Sequence, residues 1–194
     1  MKDSAPPFPQ PAATGMSESA CVQVRPARDS DISAIRAIYA HHVLEGTGSF
    51  EEAAPDTGEM ATRLRSVVGN GMPYLVAENG GTVLGFAYAA PFRPRSAYRF
   101  TVENSVYVHP AVIGQGIGRR LLAELIQRCA AQGYREMVAV IGDAGNHRSI
   151  ALHAALGFQQ AGTLRGVGRK FSRWLDVVFM QRRLTSDSAP DTPL

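Results

Sequence analysis

The order of secondary-structure signals predicts a mixed α+β domain, and three observations carry that prediction. A β-branched alternating run from Thr101 to Val108 breaks at His109-Pro110, crosses Gly114, Gly116 and Gly118, and enters a long helical pattern. Two apolar stretches, Pro73 to Ala77 and Thr82 to Ala90, flank Asn79-Gly80-Gly81, a strong hairpin signal. The remaining periodicities give the order βααβββαβαββ, without the strict alternation of a doubly wound sheet.

Taken along the chain, a short strand Val22 to Arg25 leads into Asp29-Ser30-Asp31, which offers helix-cap side chains. A helix from Ile32 to Leu44 follows, with Ile35, Ile38, Tyr39 and Val43 at helical spacing. Glu45 to Pro55 reads as a loop carrying one aromatic, Phe50. A Pro-Asp start signal opens a second helix, about Asp56 to Val68. After the hairpin, Pro91 to Phe100 is prolyl, basic and aromatic, and reads as a loop. The strand Thr101 to Val108 and the glycine turn precede a helix Gly116 to Gln132, closed by Gly133. Met137 to Ile141 is an apolar strand. Asn146 opens a short helix ended near Gly157, a strand starts at Phe158, and a last strand spans about Arg173 to Arg182.

A chain of 194 residues with 45% hydrophobic content can bury one good core, so one domain is expected over residues 22–184. Residues 1–20 and 185–194, rich in Pro, Ser and small residues, read as disordered tails. The net charge of +3 is mild and its basic residues are scattered, so nucleic acid is not an expected partner, and no apolar run approaches the ~20 residues of a membrane span, so neither is a membrane. Cys21 and Cys129 show no metal-ligand or redox spacing; no metal is expected, and a reducing cytoplasm fits.

The strand, glycine turn and helix start form the grammar of an anion site. The first N–H groups of a helix lack intrahelical partners and carry the positive end of the dipole. Glycines there remove the Cβ atoms that would hold a phosphate away. Gly118 is followed by Arg119-Arg120, so the lysine of an NTP-binding loop is missing, and Arg119 and Leu121 occupy the third-glycine positions of a dinucleotide fingerprint.

What remains, GQGIGRRLL after VYVHP, resembles the acetyl-CoA pyrophosphate loop of the GNAT acyltransferase superfamily, with Ile113 standing where Arg or Gln is usual. Four stretches are similar, more narrowly, to the phosphinothricin and methionine-sulfone (methionine sulfoximine) N-acetyltransferases: AYRFTVENSVYV from Ala97, AQGYREMVAVIG from Ala131, NHRSIALHAALGF from Asn146 and GRKFSRWLDVVFMQ from Gly168. The resemblance implies a GNAT fold, a central mixed sheet splayed between its fourth and fifth strands with helices on both faces. It implies acetyl-CoA as co-substrate, held by main-chain groups of Val106, Tyr107 and Val108, by Gly114, Gln115, Gly116, Ile117, Gly118 and Arg119, and by Asn146 and Ser149 near the next helix start. An extended pantetheine arm suits an unpaired strand edge.

Two residues are candidates for the chemistry. An amine attacks a thioester only when unprotonated, and a free α-amine is mostly ammonium at pH 7. Glu103, on the face shared with Tyr107, can take that proton directly or through water, and the resemblance implies that it is the general base. His153 stands where the resemblance implies the residue that protonates the departing thiolate; a place in the base relay and a plain core position both stay open. Arg93 and Arg95 can grip a carboxylate through the guanidinium fork, and Pro94, Tyr98 and Phe50 complete a substrate-contacting set. The expected reaction is direct transfer of acetyl to the α-amine of a small amino-acid-like substrate, and the resemblance implies a homodimer. Acetylation of a peptide N-terminus or lysine, and a non-catalytic CoA-binding module, are the alternatives.

Overall fold

A computed structural model describes residues 22–184; the two expected tails and Cys21 lie outside the described residues. The elements run β1 (Gln23–Pro26), α1 (Ile32–Glu45), α2 (Thr57–Gly69), β2 (Tyr74–Asn79), β3 (Thr82–Pro91), β4 (Thr101–Val108), α3 (Ile117–Ala131), β5 (Glu136–Gly142), α4 (His147–Ala155), β6 (Gln159–Lys170) and β7 (Arg173–Arg183). This is the predicted order. The seven strands make one sheet, β1-β2-β3-β4-β5-β7-β6, in which only β4 and β5 run parallel.

The β2–β3 hairpin closes at Gly80 and Gly81, both with positive φ (56° and 82°), the conformation that a two-residue turn between twisted strands requires. Side chains then alternate across the sheet. Leu75, Ala77, Ala87, Ala89 and Val102 lie under α3, which contributes Leu121, Leu122 and Leu125, all fully buried. Burial of each such leucine stabilises the fold by about 2 kcal/mol. Tyr74, Val76 and Phe86 lie on the other face under α1 and α2, against Ile35, Ile38, Val43, Met60 and Leu64. The helices therefore cover both faces.

The feature that positions the site is where β4 and β5 part. They pair only from Thr101–Glu136 to Asn104–Ala139. Beyond that point β4 stays with β3 as far as Val108–Gly85, and β5 stays with β7 as far as Gly142–Val177. Each strand keeps its outer partner, so the inner edges diverge into a fork.

One expectation is corrected. Asp31 does not cap α1 with its side chain. Its carboxylate is taken by the Arg25 guanidinium at 2.7 and 2.9 Å and by the Arg28 N–H at 2.8 Å. Arg25 also binds Glu78 on β2, and it holds the buried Asp31 carboxyl below the usual carboxylate range. Asp31 thus ties β1 to the start of α1, a long-range use of a residue whose local context suggested a cap.

Candidate active site

Main-chain direction decides what the fork offers. His109 N–H bonds the Leu84 carbonyl at 2.8 Å, so His109 faces β3; by alternation the main-chain groups of Val106 and Val108 face the opened gap, whereas those of Tyr107, expected to serve the cofactor, are turned to Phe86 on β3. The Val108 carbonyl is already engaged: His42 Nε2, from α1, lies 2.8 Å from it and must be the donor, while burial lowers the His42 pKa. The His42 ring also rests on Tyr107, 5.5 Å between centroids. No local sequence pattern marks this residue.

At the end of β4 the chain turns through a 3-10 segment, Pro110–Val112, into the glycine loop. Gly114 and Gly116 have φ of 87° and 80°, the left-handed region, with nothing within 4 Å of an added Cβ. Their freedom serves backbone shape. Gly118 differs: its φ is ordinary, but a Cβ there would meet Leu152 at 3.3 Å and Val108 at 3.4 Å. It lets α3 approach α4 and β4. The Gln115 N–H, expected to serve the anion, instead donates to the Val112 carbonyl at 3.3 Å and closes the turn. The first helix-start N–H to find a carbonyl one turn back is that of Arg120, bonded to Gly116 at 3.1 Å, so the N–H groups of Ile117, Gly118 and Arg119 have no carbonyl within the helix to bond.

This loop borders a cleft of about 720 Å³ that also takes in Val106, Tyr107, Val108, Asn146, Ser149 and His153. Of the expected cofactor set only Gln115 is missing from its wall. Asn146 caps α4, its side-chain oxygen accepting from the Ser149 N–H at 3.2 Å. His153 is buried, with Nε2 3.0 Å from Asn104 Oδ1 and Nδ1 2.7 Å from the Ser149 carbonyl oxygen. Asn104 Nδ2 donates to the Val138 carbonyl at 3.1 Å, which sets the amide orientation. Burial lowers the His153 pKa, and the Ser149 carbonyl opposes that shift. A neutral ring has one N–H, so only one of the two contacts is a donated bond. Asn104 was overlooked in the sequence; the signal was a polar side chain at an inward position between Val102 and Val106.

Glu103 faces the opposite side of the sheet, with Ser105 and Tyr107, and pairs in register with Val138 just before the strands part. Its side chain is one-third exposed, and burial raises its pKa; the Arg93 guanidinium, 4.0 Å away, pulls the other way. Arg93 also covers the Phe92 ring and donates to the Phe92 carbonyl. Tyr98 packs edge-on against the same ring and lines a hollow of about 500 Å³ with Phe92, Val138 and Phe179. Pro94 and Arg95 are exposed beside it. Phe50 comes from the α1–α2 loop and lies against Gly142 and Gly168. An aromatic wall, Tyr39, Phe86, Tyr88 and Tyr107, backs this face. Burial pushes the Tyr39 phenol up to about 12 and the others upward, so all stay neutral.

The Acetyltransferase (GNAT) family profile matches residues 35–158. The chain belongs to the GNAT acetyltransferase family. Among GNAT relatives, the phosphinothricin N-acetyltransferase of Alcaligenes faecalis is 54% identical, the match covering 98% of this chain and 95% of the relative. An L-methionine sulfoximine/L-methionine sulfone acetyltransferase of Salmonella typhimurium is 41% identical over 87% of this chain and 98% of its own. Among solved GNAT structures, a phosphinothricin acetyltransferase from Sinorhizobium meliloti in complex with acetyl-CoA superposes with a TM-score of 0.82 at 46% identity, over 88% of this chain and 97% of that one. The fold read from the sequence is therefore the GNAT fold, and the protein is an acyltransferase of that family.

Proposed function

We propose that the protein transfers acetyl from acetyl-CoA to the α-amine of an amino acid of the phosphinothricin, methionine sulfoximine or methionine sulfone type. The observation that carries this reading is the fork, with the open main-chain groups of Val106 and a helix start on one face and a partly buried carboxylate, Glu103, on the other. The names of the relatives favour this acceptor class. Acetyl-CoA fits the first face: Ile117, Gly118 and Arg119 N–H groups suit its pyrophosphate, and the free groups of Val106 suit an amide-bearing arm.

Glu103 takes one proton from the substrate ammonium. The freed amine nitrogen then bonds the acetyl carbon, and as the carbon–sulfur bond breaks, the proton that nitrogen sheds goes to the departing thiolate. Burial pushes the only described cysteine, Cys129, up to about 12, so a thiolate nucleophile is not formed there and transfer is direct. His153 sits on the donor face, and its single N–H is donated to one of its two acceptor neighbours, the Ser149 carbonyl or Asn104 Oδ1; to protonate the thiolate it must leave that partner. Arg95 holds the acceptor carboxylate, Arg93 tunes Glu103, and Tyr98 and Phe50 bound the side chain. A second copy covers the β6–β7 hairpin, where Trp174 is 70% exposed alongside Leu164, Val167 and Phe171. Light scattering checks this: a dimer is expected, and Trp174→Glu yields monomer.

The deciding experiment follows free thiol with acetyl-CoA and a panel of phosphinothricin, methionine sulfoximine, methionine sulfone, free lysine and an alanyl peptide. Release with the first three, abolished by Glu103→Gln, is the expected result. Release with the peptide alone, or equally slow release by both proteins, overturns the reading.

A further inference from the structure

The loop joining α1 to α2 crosses the open end of the fork, and three contacts decide its path. Thr47 Oγ1 donates to Asp143 Oδ2 at 2.8 Å, just past the end of β5. Lys170 Nζ, at the end of β6, donates to the Ser49 carbonyl at 2.7 Å. Phe50 follows directly and lies flat on the sheet's glycines: a Cβ at Gly168 would stand 2.0 to 2.7 Å from three of its ring carbons, and one at Gly142 would stand 2.9 Å from another. The ring therefore occupies space that any other residue at 168 would fill.

Lys170 is an odd choice for that position if stability were its only role. It is 2% exposed, and its ammonium has one hydrogen bond, with the Phe171 ring 5.2 Å away and the Glu52 and Glu51 carboxylates opposing the lowering of its pKa by burial. One bond and two carboxylates outside ion-pair contact offset only part of the desolvation, and an apolar side chain of similar length would fill the space without it. What an apolar chain cannot do is hold the Ser49 carbonyl. Ser49 is itself buried, its hydroxyl 3.2 Å from the Tyr39 phenol, and the Tyr39 phenol donates to Glu51 at 2.8 Å. Fixing the Ser49 peptide thus fixes where the chain leaves for Phe50.

We infer that Lys170 and the bare Gly168 are positioning residues that set acceptor selectivity: the Lys170–Ser49 clasp delivers Phe50 onto Gly168, and the depth of that seat fixes the room left for the acceptor's side chain. This rests on the reading that an amino-acid acceptor binds beside Phe50.

The test measures kcat and KM for acetyl-CoA and for two acceptors of different length, methionine sulfone and alanine, in wild type, Lys170→Met, Lys170→Arg and Gly168→Ala. Hydrogen exchange over residues 46–51 and the melting temperature are followed in parallel. Lys170→Met and Gly168→Ala are expected to change the methionine sulfone to alanine ratio of kcat/KM by about tenfold, the scale of a methylene-sized change in a pocket. KM for acetyl-CoA stays within about twofold. Lys170→Met raises exchange in the loop, and Lys170→Arg, which keeps a donor, restores most of the ratio. If wild type turns over the amino acids but the ratio is unchanged in both variants, or both KM values rise together with a falling melting temperature, the clasp is merely structural and the inference fails alone. If wild type acetylates neither amino acid, the acceptor reading fails and takes this inference with it.

Discussion

The two faces of the fork are built by different means. On the α3–α4 face the candidate groups are mostly main-chain ones from the stretch Val106 to Arg119, with Asn146, Ser149 and His153 beside them. On the α1–α2 face the candidate groups are side chains drawn from α1, the following loop, β3, β4 and the β6–β7 hairpin. The first face is a property of local backbone shape, the second of tertiary assembly. Substitutions should therefore separate them: backbone changes in the glycine loop act on the donor, and side-chain changes opposite act on the acceptor and on chemistry.

The largest separation is expected at Glu103. Glu103→Gln keeps size and removes the base, so kcat falls by about 10²- to 10⁴-fold, while KM for acetyl-CoA holds. Equal losses in both parameters would place Glu103 on the donor face and erase the distinction. Gly116→Ala is the mirror experiment. A methyl there meets open space, so its effect is the strain of φ 80° alone, about 1–2 kcal/mol, or roughly 5- to 30-fold in KM for acetyl-CoA. Saturating acetyl-CoA should restore kcat. A loss of kcat that saturation does not mend would show that the loop also sets the chemistry.

A substitution away from both faces supplies the control. Asp31→Asn leaves Arg25 paired with Glu78 alone and should lower stability by about 2 kcal/mol, the scale of lost charge-assisted hydrogen bonds. Neither KM should move. The folded Asp31 pKa lies below its ordinary value, so the wild-type contribution is complete above the ordinary carboxylate range. It is lost as pH falls through the depressed value. Asp31→Asn removes that acid-sensitive step from the melting profile.

The same division explains what the sequence could reveal. The element order, the hairpin and the glycine loop were legible because turn and cap chemistry is local: Gly80, Gly81, Gly114 and Gly116 are needed at positive φ whatever surrounds them. The face on which Glu103 lies was legible through strand parity with Tyr107. The engagement of Gln115 N–H by Val112 was not, because it depends on how tightly one turn winds. His42 on the Val108 carbonyl, Asn104 against His153 and Lys170 on Ser49 join residues 66, 49 and 121 positions apart. No periodicity or spacing encodes such pairs. Asp31 shows the same limit from the other side, a good local cap signal outbid by a guanidinium on a neighbouring strand.

The subtlest test concerns the acid limb of the pH profile. A general base works only when unprotonated, so kcat falls as pH drops through the Glu103 pKa in the complex. Burial raises that pKa above the ordinary ~4.3 of glutamate, and Arg93 at 4.0 Å partly counters it. Arg93→Gln leaves burial unopposed, and the limb should move to higher pH. The move is small, because the Arg93 side chain is 49% exposed and solvent screens the pair. High salt should shift the wild-type limb in the same direction and the variant's hardly at all. The substrate amine, mostly ammonium at neutral pH, adds its own limb to kcat/KM, and that limb must stay fixed in Arg93→Gln because it belongs to the free acceptor. A limb that moves with Arg93 belongs to the carboxylate; a profile with no such limb would hand the proton to water and leave Glu103 a binding group.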